Sequence, residues 1–281
     1  MMNQLSEETN KAGDVAYWDG SKVKTIDVNK WNNGLGIAVG VVVVPKGFAP
    51  DGKTRIVGLN WFDGDGNRTN YMNYFTWSKD YYQSVNEGGQ LFPITNNNSV
   101  SYDSLSHGSG YFPSDMFSGN ISYVDPESKY IEEVGYMIPS PYYIDSPNES
   151  YHSEVGSGVG TNASALDFDG LQYSNNISND YLGSYYYQCA GYACLKYNDG
   201  VSNLQYYLPA LGEMGYLMAR LGKINSTISA LNGNIIKGYL WSSSAYDRSD
   251  AFYLNTSEGY VKNNVKNYAD VVSARSFAII D

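Results

Sequence analysis

The C-terminal stretch Tyr239–Asp281, "YLWSSSAYDRSDAFYLNTSEGYVKNNVKNYADVVSARSFAIID", decides how this chain is interpreted. From Tyr239 to Asp270, 17 of the 32 residues are Tyr, Asn, Ser or Asp, and short apolar patterns, "LW" and "SARSFAII", bracket the run. Tyr offers a large contact area with a polar tip, and small polar side chains form adaptable hydrogen bonds. The run therefore predicts a binding surface between two hydrophobic anchors, with an ordinary solvated Tyr/Asn-rich hairpin region as the alternative.

Strand alternation predicts which residues of this run face outward, because successive side chains point to opposite faces of a sheet. In "AFYLN", Phe252 and Leu254 should face the core, and "GYVKNN" alternates in the same way. Trp241 on one side and Phe277 with Ile279 on the other are expected to hold the surface. We expect the polar and aromatic side chains to form one exposed ligand-binding patch, made of Tyr246, Asp247, Tyr253, Asn255, Tyr260, Lys262, Asn264, Asn267 and Tyr268.

The clearest helical pattern is "LPALGEMGYLMARLGKINSTISALNG", residues 208–233. Its apolar residues recur at spacings of three and four, which predicts one helix with a single buried stripe, formed by Leu211, Met214, Met218, Leu221, Ile224, Ile228 and Leu231. Pro209 suits the first turn, Glu213 favours the positive helix end, and Gly233 is expected to be the C-cap. A second helix candidate is "SNDYLGSYYYQCAGYACLKYN", residues 178–198.

Strand patterns lie at both ends of the chain. "DVAYWDGS" predicts a short strand and a turn, "GIAVGVVVVP" predicts a buried strand with "TRIVGLNWF" as its partner, and the C-terminal stretch predicts several short strands. Helices in the middle without βαβ alternation predict an α+β fold. We expect a flexible tail over 1–12 and a single domain over 13–281, in which strands near Val15 and Phe277 share one sheet. Long polar loop inserts should occupy about 63–160, on the outside of the domain.

Charge and cysteine content exclude some partners and cofactors. The formal net charge is -11, with Lys+Arg 18 against Asp+Glu 29, which argues against a nucleic-acid partner because phosphate binding rests on clustered positive charge. Cys189 and Cys194 would lie about 140° apart on a helix, which predicts buried free thiols and no disulfide. Two cysteines with two histidines do not make a zinc site of the usual spacing, so we expect no metal and no cofactor.

The N-terminus "MMNQLSEETNKAGD" has no apolar segment typical of a signal peptide. The longest apolar run, "IAVGVVVVP", is too short to span a membrane. We therefore expect a soluble protein without membrane insertion that does not use a standard secretion route.

Three motifs that resemble nucleotide or metal sites are better interpreted as turns or loops. "GFAPDGKT" (47–54) matches the letters of a P-loop, but β-branched and aromatic residues follow it in place of a helix, which favours a hairpin turn. "DGDGNRTN" from Asp63 begins like a calcium loop, but Arg68 and Tyr74 replace the required Gly and Glu, so a turn held by Asp and Asn side chains is favoured. "GSGVG" from Gly156 lacks the last Gly of a dinucleotide fingerprint.

The sequence offers little for catalysis. His107 and His152 lie in polar loops without a recognisable nucleophile elbow. The many acidic residues are compatible with a carboxylate pair as in glycosidases, but no particular pair is distinguished. We expect a non-enzymatic protein without catalytic residues, with a glycan-active enzyme as the least favoured alternative.

Several segments carry a resemblance to a known family: "YYLPALGEMGYLM", "LWSSSAY", "GYVKN" and "VSARSFAII". They resemble the C-type lectin-like fold of the formylglycine-generating-enzyme type, and more narrowly the variable proteins of diversity-generating retroelements from gut bacteria and their phages. In that family an "LPxxxELxxL" helix precedes a "WSSSE" strand, variable strands follow, and the chain ends with "VRPVxxF". The front end, "GDVAYWDGS", "IAVGVVVVP" and "RIVGL", is also similar, so the resemblance covers about Gly13 to Asp281.

Departures from the family pattern limit what the resemblance implies. Ala245 stands where the family has Glu, and "SARSF", which contains Arg275, stands in place of "VRP". The calcium–sugar signatures and the disulfide pair of animal C-type lectins are absent, and so is the catalytic cysteine context of the enzyme. Calcium-dependent sugar binding and oxidase activity are therefore not carried over.

The resemblance also implies a function for the Tyr/Asn-rich run. In the family, a retroelement mutates adenines of the coding segment, and Asn codons then yield Tyr, Asn, Ser and Asp, which is the composition of the expected variable region, about 239–270. We expect a receptor-binding protein on a phage tail that serves host attachment and binds a bacterial cell-surface protein or glycan. Second copies of the chain or other virion proteins are further expected partners. The alternative is a bacterial adhesin or sugar-binding lectin at the extracellular surface.

Overall fold

The computed structural model describes residues 10–49, 51–77, 168, 170–179, 189–245, 250–257, 260–265 and 271–281. The strands of the larger sheet are β1 Val15–Trp18, β2 Val23–Ile26, β3 Ile37–Val44, β4 Thr54–Gly58, β7 Tyr206–Tyr207 and β12 Phe277–Ile280. They pair in the order β2-β1-β3-β4-β12-β7, and every neighbouring pair is antiparallel. The prediction that strands near Val15 and Phe277 share one sheet is confirmed.

A second sheet, called the C-terminal sheet below, contains β8 Tyr239–Ala245, β9 Asp250–Asn255, β10 Tyr260–Val265 and β11 Val272–Ser273. Its order is β10-β9-β8-β11, with β8 and β11 as the parallel pair. A small hairpin pairs β5 Trp61–Phe62 with β6 Arg68–Thr69. The described chain is thus a mixed helix and strand fold with mostly antiparallel sheets, as the α+β prediction states.

The described helices are α1 Gly170–Asn179, α2 Ala190–Lys196, α3 Leu211–Ala219 and α4 Leu221–Ala230. The prediction of one continuous helix over 208–233 is wrong, because the backbone leaves helical geometry at Arg220 (φ -127°, ψ 17°). The Arg220 N–H donates to Leu217 O, three residues back, and its carbonyl accepts from Ile224 N in α4. The apolar stripe still continues across the break since both helices pack on one core. The pattern indicated burial and did not indicate continuity.

The end of α4 differs by one residue from the sequence prediction. Asn232, with φ 56°, takes the left-handed position that was assigned to Gly233. Gly233 N–H donates to Ile228 O at 2.9 Å and Asn232 N–H to Ser229 O at 3.0 Å, which is the Schellman pattern. Glycine is required at 233 for space, because a Cβ there would lie 2.7 Å from the carbonyl oxygen of Leu59.

The segment "GFAPDGKT" joins two antiparallel strands, so its interpretation as a hairpin is confirmed. Gly47 has φ 89°, and its N–H donates to the carbonyl of Gly52. Asp51 accepts from the Lys53 N–H, and strand β4 begins at the next residue. A strand therefore stands where a phosphate-binding loop needs the N-terminus of a helix.

The segment "DGDGNRTN" forms the turn between β5 and β6, as predicted. One carboxylate oxygen of Asp63 accepts from the backbone N–H groups of Asp65 and Asn67, and the other accepts from the Asn67 side chain. Gly66 has φ 80°, and a Cβ there would lie 2.3 Å from the carbonyl carbon of Lys196. Both conditions make glycine necessary at this turn.

Two hydrophobic clusters cover both faces of the C-terminal sheet. Leu240, Phe252 and Leu254 belong to the cluster that contains α3 and α4, and Trp241 and Tyr253 belong to the cluster that contains α2. The larger sheet is also covered by both clusters, which contain alternate residues of β3 and β4. Alternating strand residues are therefore buried on either face, as in sheets between two layers.

The two thiols are free and buried, as predicted for Cys189 and Cys194. Burial raises the pKa of the Cys189 thiol to about 11. Among the described helices, none has the length and apolar character needed to cross a membrane.

Candidate functional site

Two tryptophan side chains anchor strand β8. Each indole N–H donates to a backbone carbonyl in the segment that carries the other tryptophan. The Trp241 indole N–H donates to the carbonyl of Phe75 at 2.7 Å, and the Trp77 indole N–H donates to the carbonyl of Ser242 at 2.7 Å. Both rings are essentially inaccessible to solvent. A buried indole N–H needs such an acceptor, so the two bonds fix the position of β8 against residues 75–77.

Two serines of "WSSS" connect β8 to two other parts of the fold. Ser242 Oγ donates to the carbonyl of Phe252 on β9, and the Ser243 N–H donates to the carbonyl of Pro209, just before α3. On the adjacent strand, β11, the carbonyl of Val272 accepts from the N–H of Phe75. The motif that carries the family resemblance is therefore a structural anchor beside the expected binding region.

The expected exposed patch is wrong for two of its members. Tyr253 is 7% exposed and Asn255 is 2% exposed. The Tyr253 ring packs edge-on against Tyr239 and Trp241, with ring centroids at 5.5 and 5.9 Å. Alternation did place the two residues on one face, but that face is covered by the hydrophobic cluster that contains α2, called the second hydrophobic cluster below. Phe252 is fully buried on the opposite face, as predicted.

Three further predicted residues, Tyr260, Lys262 and Asn264, lie on β10. This strand has β9 as its neighbour and forms one edge of the C-terminal sheet as described. Lys262 pairs with Tyr253 and Tyr260 pairs with Asn255 across the two strands. An edge strand presents free backbone N–H and C=O groups along its outer side.

The remaining predicted residues, Tyr246, Asp247, Asn267 and Tyr268, lie outside the described residues, but the strand ends next to them are described. Ala245, which ends β8, pairs with Ala251, and Asp250 pairs with Val265, which ends β10. The strand ends that precede these four residues in the chain are therefore neighbours. We call this end of the sheet, marked by Ala245, Asp250 and Val265, the convergent end.

A group of exposed aromatic and aliphatic side chains was missed by the sequence reasoning. Tyr71 is 67% exposed, Tyr74 is 47% exposed and Val271 is 37% exposed. The N–H of Phe75, which follows Tyr74, donates to the carbonyl of Val272, which follows Val271. These residues lie at the start of β8 and β11, opposite the convergent end. "TNYMNYF" is Tyr- and Asn-rich like the C-terminal run, and this similarity was the signal that could have indicated them.

A buried charge cluster lies between the larger sheet and helix α3. Arg55 Nε donates to Glu213 Oε1 at 2.9 Å, and the same carboxylate accepts from the Tyr207 hydroxyl at 2.5 Å and from the Ala210 N–H at 2.8 Å. Glu213 is inaccessible to solvent, and burial raises its pKa to about 7 against the opposing effect of Arg55. The guanidinium also contacts Asp51 through two bonds at 3.1 Å. The cluster joins β4, β7 and the first turn of α3, which makes it a structural element.

A metal centre has no counterpart in the described part of the chain, where no three His, Cys, Asp or Glu side chains are grouped to hold an ion. The Asp63 carboxylate, which begins the calcium-like motif, accepts hydrogen bonds from its own turn. The residues His107 and His152 lie outside the described residues.

Fold and site together define a mixed helix and strand protein with an anchored C-terminal sheet buried on both faces. No family model matches this chain, and no curated protein matches it. Among solved structures, it is similar to a fimbrial protein from Bacteroides ovatus ATCC 8483, with 12% sequence identity and a TM-score of 0.41. That similarity covers 96% of this chain and 49% of the fimbrial protein, so the chain spans about half of that protein's length.

Proposed function

We propose that this protein is a non-enzymatic receptor-binding protein that presents the Tyr/Asn-rich segments at the convergent end to a bacterial cell-surface protein or glycan. The observation that carries the proposal is the meeting of Ala245, Asp250 and Val265 at one end of the sheet. The chain segments that follow Ala245 and Val265 contain Tyr246, Asp247, Asn267 and Tyr268. Tyr and Asn side chains on loops that a rigid sheet positions are the residue types used by binding surfaces.

The anchoring of the sheet supports this proposal. The bonds of Trp77, Trp241 and Ser243 fix β8 up to the residues that precede Ala245. Substitutions on exposed segments next to such a scaffold usually change the free energy of unfolding by about 0.5 kcal/mol or less. A surface of this kind can change its sequence while the fold is retained.

We further propose that the fold is a C-type lectin-like fold and that a diversity-generating retroelement varies the run of about 239–270. The support is the resemblance of "LPALGEMGYLM", "WSSS" and the final strand to that family. The buried positions of Tyr253 and Asn255 narrow the proposal, because residues under the second hydrophobic cluster cannot contact a receptor. Variation compatible with folding should then concentrate outside these two positions.

Two settings are compatible with such a receptor-binding protein. One is a bacterial surface adhesin, and the other is a phage tail protein for host attachment. One genomic observation distinguishes the two settings. It is a reverse-transcriptase gene beside a template repeat that is nearly identical to the coding segment of the variable region. A locus with these two features supports the retroelement-diversified phage protein, and a locus within a surface-export operon supports the adhesin.

The proposed function is tested by measuring how the purified chain binds to intact gut bacteria, the hosts that the family resemblance implies. The test variant carries Tyr246→Ala, Asp247→Ala, Asn267→Ala and Tyr268→Ala, and the control variant carries Lys22→Ala and Asn33→Ala, two exposed residues of the larger sheet region. We expect binding to fall at least tenfold in the test variant and to stay unchanged in the control, with equal thermal midpoints. Equal binding by both variants would contradict the proposal.

A further inference from the structure

A polar cleft lies at the open end of the hairpin formed by β1 and β2. Its volume is about 430 Å³, which is in the range of pockets that hold small molecules. Its walls come from the residues before β1, the end of β2 and the short 3₁₀-helix Val28–Lys30. Ile26 is apolar, and the other lining side chains are polar or charged. The cleft therefore suits a small polar molecule.

Hydrogen bonds to the rest of the larger sheet hold one wall of the cleft in place. The Asn10 side chain donates to Thr54 Oγ1 at 2.9 Å, and the Asp14 carbonyl accepts from the Val42 N–H at 2.9 Å. The Asp14 N–H donates to the carbonyl of Lys11 at 3.0 Å, which closes a tight turn. This wall is formed without a ligand, so little ordering is needed when a molecule binds.

Two carboxylates lie at the same end of the two strands. Val15 pairs with Ile26, so Asp14, which precedes Val15, and Asp27, which follows Ile26, are brought together beside the cleft. Like charges placed across a pair of strands are destabilising. A cation bound between these two side chains would remove that repulsion.

Asp14 also offers an acceptor atom that the protein does not use. The side chain is nine-tenths buried, with 9% exposed, and its Oδ2 accepts from the Lys11 N–H at 2.8 Å. Oδ1 accepts no hydrogen bond from the described residues and stays accessible to solvent. Burial is the main cause that raises the pKa of Asp14, and the charge of Asp27 adds to it. A buried carboxylate of this kind is stabilised by a further donor.

We propose that this cleft binds a free amino acid. The ammonium of the ligand contacts Asp14 and Asp27. Its carboxylate contacts Lys11 and Lys30, whose ammonium groups have three donors each and can bond a ligand in addition to other partners. Two carboxylates and two ammonium groups match a zwitterion better than a ligand of one charge sign. The cleft is separate from the convergent end, which belongs to the C-terminal sheet.

The first test measures binding of the standard L-amino acids to the full chain by saturation-transfer NMR and by isothermal titration calorimetry. Each amino acid is compared with its N-acetyl form, which keeps the carboxylate and the side chain but has no ammonium. We expect at least one free amino acid to bind, and its N-acetyl form to bind at least about tenfold more weakly, since a charge-assisted hydrogen bond is lost. Absence of binding by every free amino acid, or equal binding of the N-acetyl forms, would overturn the proposal.

The second test uses Asp14→Asn and Asp27→Asn, which remove one charge each. Both variants keep an oxygen that can accept from the backbone N–H bonded in the unaltered chain, so the fold should be retained. The matched control is Asp65→Asn, the same change at an exposed position in the turn between β5 and β6. With equal thermal midpoints, both cleft variants should bind the amino acid at least about tenfold more weakly, and the control should bind it as before. Unchanged binding by the two cleft variants would contradict the site.

Discussion

At the residue scale, Glu213 shows how one side chain connects distant parts of this fold. Its place in the first turn of a helix follows from the sequence, and its bond to the Ala210 N–H satisfies a donor of that turn. Its partner Arg55 is 158 residues away in the chain, and no local pattern indicates that pairing. The same holds for Arg275, whose acceptor Gly58 is 217 residues away.

Glu213→Ala should lower the free energy of unfolding by about 3 kcal/mol, since it leaves Arg55 Nε, the Tyr207 hydroxyl and the Ala210 N–H without their acceptor. The measurement is urea denaturation at pH 5.5, below the raised pKa of Glu213. Lys53→Ala is the control, because Lys53 is an exposed turn residue that forms an ion pair with Asp281, and its loss should cost under about 0.5 kcal/mol. Equal costs for the two variants would show that the buried cluster does not stabilise the fold.

The same residue predicts a dependence of stability on pH. The pKa of Glu213 is raised to about 7 in the folded protein from an ordinary value of 4.5, so the folded state binds this proton more tightly than the unfolded state. Stability from this group is therefore present below pH 4.5 and is lost as the pH rises toward 7, by up to about 3 kcal/mol. Denaturation of the unaltered chain and of Glu213→Gln across this range measures the difference. Parallel pH profiles would contradict the raised pKa.

At the scale of elements, the helix stripe was predictable from spacing alone because burial and 3.6-residue periodicity are linked. Ile224 is fully buried in α4, and Ser226 is exposed on the same helix. Ile224→Ala should cost about 2–5 kcal/mol by loss of contact and cavity formation, whereas Ser226→Ala should be nearly neutral. Thermal or urea denaturation measures both, and a small cost at Ile224 would mean that the core assignment of α4 is wrong.

The anchoring of β8 gives a prediction for paired residues. Trp77→Phe and Trp241→Phe each keep an aromatic ring but leave a buried carbonyl without its donor, so each should cost about 1–3 kcal/mol. The two bonds fix the same strand from neighbouring positions, so the double variant should cost less than the sum of the single variants. Simple additivity in a double-mutant cycle would show that the two tryptophans act independently.

Strand alternation was also informative, but only about relative orientation. It placed Tyr253 on the face opposite Phe252 and Leu254, and the two hydrophobic clusters agree. It could not show that the face of Tyr253 is covered, because the covering residues come from β8, α2 and residues 75–77, which are distant in sequence. A strand with polar or aromatic residues on one face and apolar residues on the other is not always half-exposed.

At the scale of the whole molecule, segments that are distant in the described chain pair with each other at two places. β12 lies between β4 and β7, which brings the last strand into the sheet formed by the first strands. Thr76 pairs with Cys189, and the Ala190 N–H donates to the carbonyl of Thr76 at 2.8 Å, so the chain positions on either side of 78–188 are neighbours. Sequence composition predicted long polar loop inserts over about 63–160, but it could not show that Thr76 and Cys189 are neighbours.

The central claim is that the C-terminal sheet is a buried scaffold and that the segments at its convergent end bind the receptor. Two matched variants test this claim most directly. One carries Tyr246→Ala, Asp247→Ala, Asn267→Ala and Tyr268→Ala in the segments that follow the convergent end, and the other carries Tyr253→Ala and Asn255→Ala at buried positions of β9. Thermal midpoint and binding to intact bacteria are measured for both. The account predicts that the first variant keeps its midpoint within about 3 °C and loses binding, whereas the second loses several degrees of midpoint. If the first variant unfolds, or if it folds and binds as before, the account is contradicted.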